Sequence, residues 1–388
     1  MILSHKIRLD PTYRQVEAFN KACGCARYAW NWALSEWEKH YREEGGSPSV
    51  NELKKRWNRE KPAWVYESPK DANLQPFAEL KKAYSRFFKK TAKAPKFKAR
   101  HRSKKSFYIS NDKFYIDGDR VRIPVIGWVR MAEQLRYDGR VMRGVVSERA
   151  GKWYISISVE VPTQPAHGEE ILGIDLGLKT FATLSTGEQL VAPEPLKRKL
   201  KKLRRLSRQH AKKQRGSMNR KKSALKLAKH HAKVTDERKD WLHKATSRLV
   251  SRAKILVLED LSLSGMTKLW GRKLSDLSLH EFRRQLAYKC EKNDVGLVLL
   301  DRFFPSTQLC SSCGVRKKMK LSEREYVCPA CGFTACRDFN AALNIVTEGF
   351  SGIYACGHES EGGYRHQLIV TPSWLNQELN RRTPVRTN

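Results

Sequence analysis

The sequence predicts a multidomain chain in which a mixed α/β domain follows a small all-β module and a helical segment. Three observations carry that prediction. From Glu170 onward, apolar runs of strand length alternate with long helical stretches, as a mixed α/β sheet requires. Between Ser106 and Val161, short alternating strands are separated by the turn signals Asp117-Gly118, Asp138-Gly139 and Ala150-Gly151, which marks a small barrel or sandwich. The 388 residues, 40% of them apolar and with 10 Trp, suffice for two or three folded domains.

Each element follows from local pattern. Residues 1–10 alternate like a strand and could complete the β module of residues 105–165. Pro11 opens a helical segment through Tyr41, in which Val16, Phe19, Ala22, Cys23, Ala26, Trp30 and Ala33 recur at helical spacing. A Pro-, Gly- and Ser-bearing stretch at 44–73 reads as a connection to a second helix, Phe77 to Lys90, and then to a basic segment, Lys93 to Lys105. Residues 11–104 therefore form a helical domain.

Residues 166–350 read as the α/β domain: strand, hairpin, long helices, strand, helix, strand and a final helix. The hairpin is Thr180–Ser185 and Gln189–Val191 around Thr186-Gly187. Lys197 to Lys233 carries 17 Lys or Arg and no acid, with leucines at 200, 203, 206, 225 and 227. That pattern predicts a helical hairpin over 197–250, broken near Gly216-Ser217 and lying against phosphates. Residues 351–388 have four glycines and little periodicity, so a disordered tail is expected, and Cys356 with His358 lacks the nearby partners a metal site needs.

Composition bounds the partners. Lys and Arg number 76 against 40 Asp and Glu, a formal net charge of +36, which is the footprint of a polyanion binder. No apolar stretch approaches the roughly 20 residues of a membrane span, and the first ten residues are too quickly charged for a secretory signal. Nine cysteines, four at metal-ligand spacing, fit a reducing cytoplasm better than a disulfide framework.

Three acids stand at the ends of predicted core elements. Asp175 lies near the end of the strand-like Ile171–Gly177, Glu259 closes Ala253–Glu259, and Asp338 opens the helical Arg337–Ile345. Two strands and one helix thus offer three carboxylates, the oxygen ligands that two hard cations require to clamp a phosphodiester. The arrangement predicts a metal-dependent nuclease site. Cys310-x-x-Cys313 and Cys328-x-x-Cys331, 14 residues apart and each followed by Gly, predict a zinc ribbon in residues 307–335. Four thiolates close the coordination sphere, so that zinc is structural. The other five cysteines read as buried or inert thiols.

Several of these segments resemble one family. Gly173–Thr180, Leu258–Leu261, Glu281–Leu286, the paired cysteines and Arg337-Asp-Phe-Asn-Ala-Ala-Leu-Asn344 are similar to TnpB, the transposon-encoded RNA-guided DNA endonuclease related to type V CRISPR effectors. Cys23–Asn31 and Pro95–Lys98 join the resemblance, which spans about residues 5–348. It implies a split wedge barrel around a helical recognition domain, followed by a RuvC-like, RNase H-type nuclease fold with an inserted zinc ribbon. It also implies a guide RNA from the transposon end, a short target-adjacent motif on duplex DNA, and cutting of both strands at one Mg²⁺ site. A prokaryotic cytoplasm and a monomer on each RNA are the expectation, with the stoichiometry left open by the sequence. The chain departs from the family at Cys336, where an Asp usually precedes Arg337-Asp338.

Asp175, Glu259 and Asp338 are the expected ligands of two Mg²⁺ ions. Arg337 is read as steadying a phosphate beside them or pairing with a neighbouring acid. Tyr28, Asn31 and Gln75 are candidates for reading base edges, with packing or capping roles equally open. Lys96, Lys98, Arg100 and Arg102 are expected to hold phosphates. Two other classes stay in view: a nuclease-dead RNA-guided repressor of the same fold, which would lack one of the acids, and a transposase that needs no RNA.

Overall fold

β1 (Ile2–Asp10) buries every second side chain and leads into α1 (Tyr13–Glu43), whose start is fixed by a reciprocal cap. Thr12 accepts from the Gln15 N–H while the Gln15 side chain accepts from the Thr12 N–H. The computed structural model describes residues 1–162, 168–261, 263–320, 322–354, 367–372 and 375. They fall into two units, Met1–Pro162 and Thr163–Asn388.

In the first unit α1 is followed by α2 (Val50–Glu60), a 3-10 turn (Ala63–Glu67) and α3 (Lys70–Phe88). The stretch expected as a connection holds a helix, in which Val50, Leu53 and Trp57 recur at helical spacing among charged residues. α3 begins seven residues before the expected Phe77. Pro76 reads as a breaker but lies inside the helix, where a lost backbone bond costs about 3 kcal/mol. Burial of Phe77 and Leu80, and the bond from the Trp57 indole to Asn73 (3.0 Å), offset it.

Seven antiparallel strands complete this unit: β1, β2 (Ser106–Ser110), β3 (Tyr115–Asp117), β4 (Arg120–Ile123), β5 (Gly127–Met131), β6 (Arg140–Arg149) and β7 (Lys152–Glu160). Their order is β2-β6-β7-β1-β5-β4-β3, so the N-terminal strand sits at the centre of the sheet. The alternation of β1 puts Leu3, Ile7 and Leu9 inside.

The second unit contains β8 (Glu170–Leu176), β9 (Ala182–Leu184), β10 (Gln189–Leu190), α4 (Pro195–Ala211), α5 (Met218–Arg252), β11 (Ala253–Glu259), α6 (Leu263–Leu277), α7 (Leu279–Asn293) and β12 (Gly296–Leu300). A two-stranded hairpin, β13 (Glu325–Val327) with β14 (Thr334–Cys336), precedes α8 (Arg337–Tyr354), and β15 (Gln367–Val370) follows. The sheet order is β10-β9-β8-β11-β12-β15. β8, β11 and β12 run parallel, flanked by antiparallel neighbours on both sides. This is an RNase H-type sheet. One face packs Leu172, Ile174, Leu256 and Leu258 against Leu249 of α5 and Phe282 and Leu286 of α7. The other packs Ile255, Val257 and Val298 against Ile345 of α8.

The final strand corrects one expectation. Of the expected disordered tail, Gln367–Val370 pairs antiparallel with β12 as part of the sheet, and Leu375 is buried in the core. Residues 355–366, 373–374 and 376–388, with Cys356 and His358, lie outside the described residues.

Candidate active site and metal centre

Register places the first two acids. Ile174 pairs with Leu258 across the parallel strands β8 and β11, and one residue further on stand Asp175 and Glu259. Adjacent strands are about 4.8 Å apart, so the two carboxylates leave the same end of the sheet side by side. Side chains alternate, which sends Gly173 and Asp175, like Val257 and Glu259, to the face that α8 covers.

Two glycines bring that helix close. A Cβ on Gly173 would lie 2.3 Å from the Ala342 carbonyl oxygen and 2.8 Å from the Val346 nitrogen, both in α8. A Cβ on Gly349 would lie 2.3 Å from Val257 Cγ1. Gly in a helix interior costs about 1 kcal/mol, which is tolerated here because only Gly admits the sheet. The closely seated helix carries Asp338 in its first turn, where a carboxylate also meets the positive end of the helix dipole.

Asp175 feels both other acids. Burial first, then the charges of Glu259 and Asp338, push the Asp175 carboxyl up to about 8, with Arg337 pulling the other way. Burial also raises Glu259, while a hydrogen bond from the Ser306 hydroxyl opposes the rise. Asp175 is thus repelled by Glu259 and by Asp338, a charge that a divalent cation would neutralise, and carboxylate oxygens are the donors such a cation takes. Arg337 donates to Asp338 Oδ1 through Nε (3.1 Å) and Nη2 (2.9 Å), and through Nη1 to the Glu323 carbonyl (3.0 Å). The ion pair, one of its two expected roles, is formed.

The four cysteines converge as their spacing predicts. Their sulfurs lie within 4.8 Å of one another, with Cys310–Cys331 at 3.7 Å and Cys313–Cys328 at 3.5 Å. A tetrahedral ion with metal–sulfur bonds of about 2.3 Å requires sulfur separations near 3.8 Å, so the cage fits zinc. Two tight turns build it: Gly314 N–H donates to the Cys310 carbonyl and Gly332 N–H to that of Cys328, both glycines having positive φ. Tyr326, fully buried, lies beneath. Cys23, Cys25 and Cys290 are buried thiols pushed up to about 12, 11 and 12 by burial. Cys336 departs from the buried reading and is exposed.

The expected nucleic-acid contacts divide. Asn31 is engaged at both ends of its amide, donating to the Lys98 carbonyl (3.0 Å) and accepting from the Lys98 N–H (2.8 Å). It ties the basic segment to α1. The Trp30 indole donates to the Lys96 carbonyl (3.1 Å), and the Lys98 ammonium sits 3.8 Å from the centre of the Trp30 ring, where burial lowers its pKa. Lys98 is thus an anchor, whereas Lys96, Arg100 and Arg102 remain exposed. Tyr28 packs on Trp57 and Trp64 yet stays 40% exposed, on the wall of a groove with Lys21 and Arg27. Gln75 lies inside α3, not before it, and lines a small polar cavity with Arg27 and Lys104.

The sequence reading missed Ser306, Asn340 and Asn344. All three are buried polar residues beside the acids. The asparagines four residues apart on an otherwise apolar helical face were the available signal.

An RNase H-type sheet with three acids at one edge and a four-cysteine ribbon inserted before its last helix defines a class, the RuvC-like nuclease fold. Comparison with known proteins agrees. Residues 154–269 match a family described as "Probable transposase", 280–345 match "Cas12f1-like, TNB domain", and 1–46 match "Helix-turn-helix domain". In this chain the last span is a strand and one long helix. A Streptomyces pristinaespiralis protein named "Putative RNA-guided DNA endonuclease" is 34% identical over 372 residues, 91% of this chain and 90% of that one. An Escherichia coli K12 protein, "Putative RNA-guided DNA endonuclease InsQ", is 31% identical over 384 residues, 92% and 94% of the two chains. The protein chain in the cryo-EM structure of a Cas12f1–sgRNA–target DNA complex shares the fold at a TM-score of 0.57 and 14% identity, covering 86% of this chain and 83% of that one. The chain belongs to the TnpB family.

Proposed function

We propose that this protein is an RNA-guided endonuclease that cuts double-stranded DNA beside a short motif, at the single site formed by Asp175, Glu259 and Asp338. The observation that carries the reading is the convergence of those acids, two by strand register and one by a closely docked helix. The carboxylates would hold two Mg²⁺ ions, which supply an activated water and stabilise the leaving oxygen. Ser306 orients Glu259 and Arg337 orients Asp338. The ribbon would hold a structural Zn²⁺. Residues 1–10 and 105–165 would act as the wedge, 11–104 as the recognition domain, and 166–350 as the nuclease.

An excess of 36 positive charges supports a nucleic-acid partner, and the relatives' names support RNA as the guide. Delegating sequence choice to base pairing leaves the protein to grip phosphates. The test is the nucleic acid that co-purifies. One RNA species, rewritten in its guide segment, should redirect Mg²⁺-dependent cleavage, and Asp175→Ala should abolish cutting while guided binding persists. Sequence-specific cutting after complete RNA removal would overturn the RNA-guided reading in favour of a transposase.

A further inference from the structure

Ser306 stands where the chain leaves the sheet for the ribbon, six residues after the end of β12, and is 3% exposed. Its hydroxyl donates to Glu259 Oε1. Among the described residues no other group donates to the Glu259 carboxylate, so this is the hydrogen bond that turns it. Ser306 is itself held from behind. Asn344 of α8 donates to the Ser306 carbonyl (2.7 Å) and to the Leu309 carbonyl (2.7 Å). One turn earlier Asn340 donates to the Leu309 carbonyl (2.7 Å) and accepts from the Ser311 N–H (3.0 Å), bracketing Cys310.

We propose that Ser306 is a positioning residue for Glu259 and that Asn344 sets its place, so the helix carrying Asp338 also fixes the orientation of the acid on β11. The inference rests on the metal-site reading above and extends it to groups that touch neither substrate nor metal. Its physical basis is that a buried polar group without its partner is costly. A ligating carboxylate that loses its one fixed hydrogen bond turns freely and must be reordered each time a cation binds. Loss of an outer partner of this kind costs about 10- to 100-fold in metal affinity. Asn340, by holding both sides of Cys310, joins the first turn of the ribbon to the same framework.

The test uses the protein with its co-purified RNA and reads metal binding without DNA cleavage. Fe²⁺ with ascorbate and oxygen cuts a polypeptide beside the residues that hold the iron, and Mg²⁺ competes. In the native protein, scission should fall near residues 175, 259 and 338. With Fe²⁺ kept well below its own half-saturating concentration, so that the midpoint reports Mg²⁺ affinity, Ser306→Ala should raise the Mg²⁺ needed to halve that scission by about 10- to 100-fold. Ser306→Thr, which keeps the hydroxyl, should restore native competition, and Asn344→Ala should behave like Ser306→Ala with the zinc still bound. Native Mg²⁺ competition in Ser306→Ala would overturn the proposal, as would a Ser306→Thr protein that folds yet stays as impaired as the alanine variant. Glu259→Ala separates the two readings: scission there at native Mg²⁺ concentrations would refute the metal site itself.

Discussion

Gly173→Ala tests whether the close seating of α8 makes the site. The added methyl would lie 2.3 Å from the Ala342 oxygen, 2.8 Å from the Val346 nitrogen and 2.9 Å from the Val346 Cβ, and two of those three are helix backbone that no rotamer change can move aside. Ordinary contact begins near 3.4 Å, so the helix must retreat by about 1 Å. Overpacking of this kind costs about 1–3 kcal/mol. Chemistry suffers more, because Asp338 travels with the helix and a misplacement of about 1 Å lowers turnover about 100-fold. Single-turnover cleavage of a guided target, with thermal melting measured in parallel, should show that loss together with a modest fall in melting temperature. Gly271→Ala, where nothing lies within 4 Å, serves as the control and should cut normally. A Gly173→Ala protein cutting within about threefold of the native rate would refute the argument from close approach.

Other outcomes follow from the same structure. Because Asp175 is held up to about 8, proton and cation compete for it. The Mg²⁺ needed for half-maximal cleavage should rise about tenfold per pH unit below about 8, and an unchanged requirement at lower pH would contradict this. In metal-free protein the sign is opposite to that of a paired carboxylate: the native state keeps a proton that the unfolded chain sheds near its ordinary pKa of about 4. Stability should therefore fall as pH rises from about 4 to about 8, as melting in EDTA would show. Asn31→Ala should loosen the basic segment and weaken DNA binding alike on every target motif, whereas a Gln75 variant that reads bases should change the motif selected from a randomised library. Cys328→Ser should release zinc and unfold the ribbon, measurable as lost metal content and new protease sites between residues 307 and 336.

Much of the nuclease unit was legible because its chemistry and its periodicity coincide. Asp175 and Glu259 end apolar runs, Asp338 follows a cysteine pattern and starts an amphipathic helix, and each sits where those signals place it. α2 does carry a helical period in Val50, Leu53 and Trp57, but Gly45, Gly46, Pro48 and Pro62 around it read as loop and outweigh those three positions. The first seven residues of α3 were not legible either, since Pro69 and Pro76 bracket them and a proline inside a helix is carried only by the burial around it. Asn31 and Lys98 were read as nucleic-acid contacts from their type. Their partners are backbone groups and a ring 67 residues away in sequence or more, which no local pattern reveals. Ser306 shows the same limit, since a serine in a loop has no signature until its carboxylate partner is located.

β15 has a meaning for how short this protein can be made. Gly296–Leu300 is buried along its whole length, and β15 covers its outer edge. A chain ending after α8 would bare the backbone edge of Leu297–Leu299, the three residues β15 pairs with, a surface that recruits other strands. Such a truncation would keep every acid and every cysteine of the site, yet its first failure should be loss of soluble protein, before any loss of catalytic chemistry.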